Sequence, residues 1–392
     1  MGKKLLEGIR VIDITVHVTG PLTTQALSDF GAEVIKIETK SRFIGQVDDI
    51  NNLYQCANCK LSITLNFTSP KGLELAHRLI SQADIVVDNL AGGTLQRRGL
   101  GYEDLKKVKP DIIMLSTCMQ GQTGPHHTHG AVGHRLTALS GFNQISGWPD
   151  REPGWLGAYT DYIAPRYNVI AILAALDYRR RTGKGQYLDM SQNETGLQFL
   201  SPLILDYSVN KRVANRMGNK YPTAAPHNAY CCLGEDRWCA IAVFTDEEWQ
   251  SFCEVIGNPP LAKEPRFATL LARKENEEEL DRLVNEWTVT RSAEEVMSLM
   301  QAAGVAAGVV ETAEDQMDKD PQFKHRHFFW ELEYPGIEKY NSNMGTYFKL
   351  SKTDFATRRA HLLGEDNDYV FKSLLGMSDE EITGLVNEGV ID

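Results

Sequence analysis

Ile9-Arg-Val-Ile-Asp-Ile-Thr-Val-His-Val-Thr-Gly-Pro21 is the stretch that decides the fold. Ile9 to Ile14 has the length and branched apolar character of a buried strand, and Gly20-Pro21 marks a helix opening, since proline's fixed φ suits a first turn. That helix runs to Phe30-Gly31, and Glu33-Val-Ile-Lys-Ile-Glu38 supplies a second strand. Working outward, Ser69-Pro70 opens a helix reaching about Gln82, and Asp84 to Asp88 reads as a strand. Glu103 to Lys107 reads as a short helix and Asp111 to Ser116 as another strand. Strands alternating with helices predict an α/β, parallel, doubly wound sheet whose ligands sit beyond the carboxyl ends of the strands.

A chain of 392 residues exceeds one ordinary core, so two domains are expected. The pattern divides into a large domain beginning at 1–205, a smaller α+β domain at 221–325, and a return segment, 326–392, that completes the large domain. The small domain carries antiparallel strand material between Tyr230 and Val243, then charged helices at Asp246–Ile256, Lys274–Trp287 and Ser292–Ala303. His327 to Glu333 and a last helix, Ser378 to Asn387, belong to the return.

The net charge of −11 argues against general binding to nucleic acid or to an anionic membrane, so any anionic ligand must meet local clusters of Arg and Lys. No stretch approaches membrane-spanning length, the first residues lack the apolar core of a signal peptide, and seven cysteines without framework spacing fit a reducing compartment. A cytoplasmic protein is expected. No metal is expected either: Cys56 and Cys59 form a lone C-x-x-C without a second pair, and His126, His127 and His129 read as a polar loop. A nicotinamide cofactor is disfavoured, because the first loop has one glycine where close approach to a pyrophosphate needs G-x-G-x-x-G.

The chemistry-bearing candidate is Asp161, in Ala158-Tyr-Thr-Asp-Tyr-Ile-Ala-Pro-Arg166. It is expected on a turn just ahead of an apolar, buried helix, Val169 to Leu176, that ends in the basic run to Gln186. Local sequence leaves two readings open: a helix cap, since Asp is favoured at helix starts, or a carboxylate nucleophile held dry and aimed.

Several segments together resemble the class III CoA-transferase family, which includes formyl-CoA, carnitine and benzylsuccinate CoA-transferases. They are Leu6 to Thr15 with Gly20-Pro21, Asp29-Phe-Gly-Ala-Glu-Val-Ile-Lys-Ile-Glu38, Leu61 to Asn66 with Ser69-Pro-Lys-Gly72, Gly93 to Glu103, Gly121 to Pro125, and the tail from Leu363 through Ile382. The resemblance spans nearly the whole chain. It implies a large Rossmann-like domain, a small domain, and two protomers threaded through one another as an interlocked dimer, either a homodimer or a heterodimer with a homologous subunit. It places the nucleophilic aspartate fifteen residues before the end of Leu173-Ala-Ala-Leu176, on Asp161. Acyl-CoA is then the co-substrate and a carboxylic acid the acceptor. Carboxylates and thiolates attack and leave as anions, so no Ser-His-Asp constellation is needed.

For coenzyme A, the resemblance points to His17, Val18 and Thr19 in the first loop, Lys40 and Arg42 after the second strand, Leu65, Lys71, Arg97 and Arg98. Val18 stands where formyl-CoA transferases carry Gln, Thr39 where an Arg follows Glu38, and Ala91 where another Arg is usual. The segments around Trp148 and Asp161 resemble the benzylsuccinate branch, whose catalytic subunit takes CoA from succinyl-CoA to an aryl-substituted succinate. His134, Arg135 and Arg166 then face a second carboxylate, and Tyr159 and Tyr162, with Trp148 and Trp155, wall the ring. The alternatives are an α-methylacyl-CoA racemase-like enzyme, whose required histidine falls at Val132 with His134 two positions on, and a partner subunit of a heteromeric transferase.

Overall fold

The computed structural model describes residues 4–39, 59–130, 132–334, 337–342, 345, 347–353 and 357–391. Lys40, Arg42 and Cys56 lie outside the described residues. The chain divides into two compact units: Met1–Phe142 with Leu156–Lys211 and Phe323–Asp392, and Asn143–Trp155 with Arg212–Gln322.

The first unit is built on strands β1 (Arg10–Asp13), β2 (Glu33–Glu38), β3 (Leu61–Thr64), β4 (Ile85–Asp88), β5 (Ile113–Cys118) and β6 (Gln186–Ser191). They pair in parallel in the order β3-β2-β1-β4-β5-β6. Helices α1 (Thr19–Asp29), α2 (Pro70–Ile80), α3 (Tyr102–Val108), α4 (Gly133–Leu139), α5 (Tyr159–Thr182), α6 (Gln192–Phe199) and α7 (Ser201–Asn210) connect or extend the strands. Alternate strand residues feed two cores. Ile12, Ile35, Val86 and Met114 pack with Leu75 and Leu79 of α2 and Leu105 of α3. Val11, Val34, Ile85, Val87 and Leu115 pack with Leu27 of α1 and Ile172 and Ala175 of α5. Burial on both faces explains the unbroken apolar runs of β4 and β5, each side chain worth about 1.5–3 kcal/mol.

The strand order reverses between β1 and β4, which leaves a crevice beyond their carboxyl ends. Asn89, just past β4, clamps the first loop there: its Nδ2 donates to the Val16 carbonyl (2.7 Å) and its Oδ1 accepts from the Val16 N–H (2.8 Å). Gly20 lets α1 start against that clamp, because a Cβ there would stand 2.4 Å from Thr15 and 3.0 Å from Asn89. Beneath α1, the buried Lys60 donates to Asp13 (3.0 Å) and to the Pro21 carbonyl (2.8 Å).

The second unit holds an antiparallel sheet of β7 (His227–Cys231), β8 (Trp238–Ala242) and β9 (Ala306–Val309), with helices α8 (Asp246–Val255), α9 (Glu277–Thr288) and α10 (Ala293–Ala302). Its core contains Trp249, Phe252, Val284 and Val296. The single helix expected over 274–287 is broken at Asn276, whose amide donates to the Ala272 carbonyl (2.9 Å) and closes the preceding short helix, Leu270–Glu275. Trp330–Tyr334 does not join the parallel sheet; it forms a hairpin with Ile337–Ser342. Among the described residues no helix is long and apolar enough to cross a membrane.

Candidate active site

The structure moves Asp161 from the expected turn into a helix. α5 begins ten residues before Val169, Asp161 lies in its first turn, and the N-cap position is Ala158, without a side-chain cap. Pro165 accounts for the difference: it reads as a helix boundary, yet it sits in the second turn, where it withholds the N–H that would bond the Asp161 carbonyl and the helix continues past it. The helix is also less buried than expected. Ile163, Ala164, Asn168, Ile172 and Ala175 face inward, while Ile170 and Leu173 are exposed. Three contacts fix it. Asn168 donates to Thr23 of α1 (3.0 Å) and Thr117 of β5 (3.2 Å), Arg179 pairs with Asp84 (2.8 Å), and Gly183 ends the helix in the left-handed region.

This anchoring carries the half-buried Asp161 carboxylate to two buried neutral donors. Oδ1 accepts from the Thr19 hydroxyl (3.2 Å) and from Nε2 of Gln192, which also donates to Thr19 Oγ1 (3.0 Å). Thr19 opens α1 after β1, and Gln192 opens α6 directly after β6 with Ser191 as the N-cap. Gly133, the first residue of α4, lies against the other side: a Cβ there would stand 2.3 Å from Oδ2 and 2.6 Å from Oδ1. Burial pushes the Asp161 carboxyl above the ordinary carboxylate range; the Gln192 and Thr19 hydrogen bonds oppose that shift, with smaller help from His134 and His17. A carboxylate held by neutral donors and partly desolvated can act as a nucleophile or a base.

His17 and Val18 stay beside Thr19 in the first loop. His17 is exposed and sits at φ 60°, a conformation stabilised only when its surroundings insist on it. His17, Val18, Thr19 and Gly20 direct backbone N–H groups that have no acceptor among the described residues. His134 and Arg135 are exposed on the first turn of α4. Tyr159 packs edge-on against Phe142 (5.2 Å between centroids), and Tyr162 is exposed. Arg166 has its guanidinium over the Tyr347 ring (4.5 Å). Trp148 and Trp155 belong to the other compact unit.

The remaining residues expected at coenzyme A follow β3 and β4. Leu65 is fully buried directly after β3. Lys71 forms an ion pair with Glu388 (2.5 Å). Arg97 and Arg98 are exposed after β4, Arg97 donating to Thr94 (3.2 Å) and Arg98 lying over the Phe67 ring (5.7 Å). Gln192 was absent from the sequence-based set. Its only signal there is a glutamine at a helix start past a strand that reads weakly. Among the described residues no cluster of His, Cys, Asp or Glu is arranged to hold a metal ion.

A Rossmann-ordered sheet with a partly desolvated carboxylate at its carboxyl edge is an α/β architecture with a candidate catalytic group where such sheets gather their ligands. The family description "CoA-transferase family III" matches residues 6–367. The chain is 32% identical to succinyl-CoA–D-citramalate CoA-transferase of Chloroflexus aurantiacus, covering 98% of both chains. It is 29% identical to the β subunit of succinyl-CoA–L-malate CoA-transferase of the same organism, again over 98% of both. A crystal structure of a CAIB/BAIF family protein from Brucella suis superposes with a TM-score of 0.86 at 30% identity, over 95% of this chain and all of that one. The protein belongs to the class III CoA-transferase family. It is a CoA-transferase, with a CoA thioester as its co-substrate.

Proposed function

We propose that this enzyme transfers CoA from succinyl-CoA to a second dicarboxylic acid, with Asp161 as the covalent nucleophile. The observation that carries the proposal is the Asp161 carboxylate itself, held on Oδ1 by Thr19 and Gln192 at the carboxyl edge of the sheet. An ionised Asp161 attacks the thioester carbonyl, the C–S bond breaks, and a mixed anhydride and CoA thiolate result. The thiolate attacks the aspartyl carbonyl, expels succinate and forms an aspartyl-CoA thioester. The acceptor carboxylate then reverses both steps, and no net proton moves. The first-loop N–H groups are suited to the oxyanion on the substrate carbon, where one such donor contributes about 3 kcal/mol.

Succinyl-CoA is proposed as donor because both named relatives carry it in their names, and their acceptors, D-citramalate and L-malate, are small dicarboxylates. An aryl-substituted succinate is the bulkier acceptor of the same class, and Tyr159 and Tyr162 are the residues of this unit that would flank its ring. The carboxylate distal to the reacting one falls to His134 and Arg135, while Arg166 serves this role only if it leaves Tyr347. We further propose that two chains interlock, as a homodimer or with a homologous partner. In support, α7 carries no buried residue and exposes Ile204, Leu205, Tyr207 and Val209.

The test is incubation with succinyl-CoA and a panel of mono-, di- and aryl-substituted dicarboxylic acids, with acyl-CoA products read by mass spectrometry. Product from monocarboxylates alone would overturn the substrate assignment. Persistent exchange in Asp161→Ala would overturn the nucleophile. α-Deuteration of a 2-methylacyl-CoA in deuterated water, without CoA exchange, would favour racemisation over transfer.

A further inference from the structure

The two oxygens of Asp161 are not equivalent. Oδ1 accepts from both Thr19 and Gln192, whereas Oδ2 accepts no hydrogen bond among the described residues. The Gln192 amide must present nitrogen, not oxygen, to the carboxylate, because an amide oxygen there would repel it. The second hydrogen of Nε2 goes to Thr19 Oγ1 (3.0 Å), and the Thr19 hydrogen goes to Oδ1, so the three groups close a network. Both donors are buried, and each opens a helix at a strand's carboxyl end.

We propose that Oδ2 is the attacking oxygen and that the Gln192 amide and Thr19 hydroxyl form a second oxyanion site, one that serves the enzyme's own aspartyl carbonyl. This rests on Asp161 being the nucleophile, as proposed above. Once an Oδ2 lone pair has bonded to the donor's acyl carbon and the C–S bond has broken, Oδ1 is the carbonyl oxygen of the aspartyl half of the anhydride. When CoA thiolate attacks Cγ, the C=O π pair moves onto Oδ1. The pair returns as the Cγ–Oδ2 bond breaks and succinate leaves with Oδ2. The acceptor carboxylate later attacks Cγ in the same way, expelling CoA thiolate. In both steps negative charge gathers on Oδ1, where Gln192 and Thr19 already point. Attack on the donor's own carbonyl puts charge elsewhere and needs other donors. The pair thereby divides the reaction into steps at Cγ, which depend on Gln192, and steps at the substrate carbon, which do not.

The discriminating experiment uses the full-length enzyme, succinyl-CoA and labelled succinate. Exchange of label into succinyl-CoA requires the Cγ steps, and intact-protein mass spectrometry after rapid quench separates the succinyl-enzyme anhydride from the CoA-enzyme thioester. Gln192→Leu is expected to slow exchange about 100-fold or more, the usual effect of losing one oxyanion donor, and to shift trapped enzyme from the thioester toward the anhydride. Slower exchange with an unchanged ratio of the two species would overturn the proposal, as would unchanged exchange. If Gln192→Leu does not fold, Thr19→Val should give the same shift and Thr19→Ser should restore the wild-type ratio; a Thr19→Ser enzyme that behaves like Thr19→Val refutes it. Asp161→Ala serves as the separate control: exchange surviving there removes the nucleophile itself, whatever Gln192 does.

Discussion

Gly133→Ala asks for one methyl group directly against the Asp161 carboxylate. Its Cβ would stand 2.3 Å from Oδ2, 2.5 Å from Cγ and 2.6 Å from Oδ1, where ordinary contact begins near 3.4 Å. The carboxylate must therefore retreat by about 1 Å, judged against that contact limit. Gly133 has no positive φ, so alanine strains no backbone, and at the first position of α4 it should stabilise the helix by a few tenths of a kcal/mol to about 1 kcal/mol. The retreat instead disturbs hydrogen bonds to a charged group, each worth about 1.5–3 kcal/mol. A reacting atom misplaced by about 1 Å costs on the order of 100-fold in rate. Steady-state CoA transfer and a thermal melt on the same preparation should diverge: kcat down about 100-fold, Tm lower by only a few degrees, because the helix gain offsets part of the disturbed hydrogen bonding. An alanine variant within about threefold of wild-type activity would refute the placement of Asp161 against α4, because no 1 Å displacement at a nucleophile is that mild.

Three further outcomes follow from the same structure. The pH profile of kcat/KM should have its acid limb above the usual carboxylate range, since burial raises the Asp161 pKa and the protonated acid cannot attack; a limb at or below 3.8 would contradict that environment. Burial lifts Asp29 from 3.8 to about 7 and Asp88 to about 6, so between 3.8 and those values the folded chain holds protons the unfolded chain lacks, and stability should rise as pH falls from 8 to 5. Asp29→Asn should flatten that rise in urea midpoints measured at both pH values, and a slope left unchanged excludes Asp29 as its source. Lys60→Met strips the partner from buried Asp13 and should cost about 3–5 kcal/mol, seen as a Tm lower by roughly 10 °C; a loss below about 1 kcal/mol would mean the pair contributes little.

The fold was legible where burial is two-sided. β1, β2, β4 and β5 occupy the middle of the sheet, so each carries a core of buried branched or long apolar residues, and the sequence places each within two or three residues. The two strands that went unread, β3 and β6, are the sheet's edges. Leu61-Ser-Ile-Thr64 interrupts its two apolar residues with hydroxyls, and Gln-Tyr-Leu-Asp-Met-Ser at 186–191 is largely half-exposed, so neither carries an apolar run. The family pattern singles out Asp161 but does not say where in a helix it sits: Pro165 reads as a boundary in sequence, whereas the helix runs through it from Tyr159 to Thr182. Gln192 stood hidden because its contact with Asp161 spans 31 residues and depends on β6, the edge strand without a period. The Arg166 guanidinium lies over the ring of Tyr347, 181 residues on, a contact that local sequence does not signal.

One fold holds aspartates in three different conditions, and the differences bear on the chemistry. Asp13 is fully buried, and burial alone would raise its pKa, but Lys60 and Lys36 with the Thr15 and Thr24 hydroxyls overcome that and hold it far below the usual range. Such a carboxylate stays ionised at almost any pH, yet its charge is spent on its cation, so it is a poor nucleophile. Asp88, with the Ser116 hydroxyl and one backbone N–H as its bonded donors, is raised to about 6. Asp161 is in a third condition: burial raises its pKa, two neutral donors oppose the rise, and no side-chain ion pair pins it among the described residues. That balance suits the role proposed for it, an oxygen basic enough to attack a thioester and able to leave again as a carboxylate. A lysine in place of Gln192 would tighten the charge and blunt the attack; no donor at all would let the group protonate. Neutral donors on one oxygen, leaving the other without a hydrogen bond, meet both demands at once, and they do so at the carboxyl edge of the sheet, where the fold already gathers its ligands.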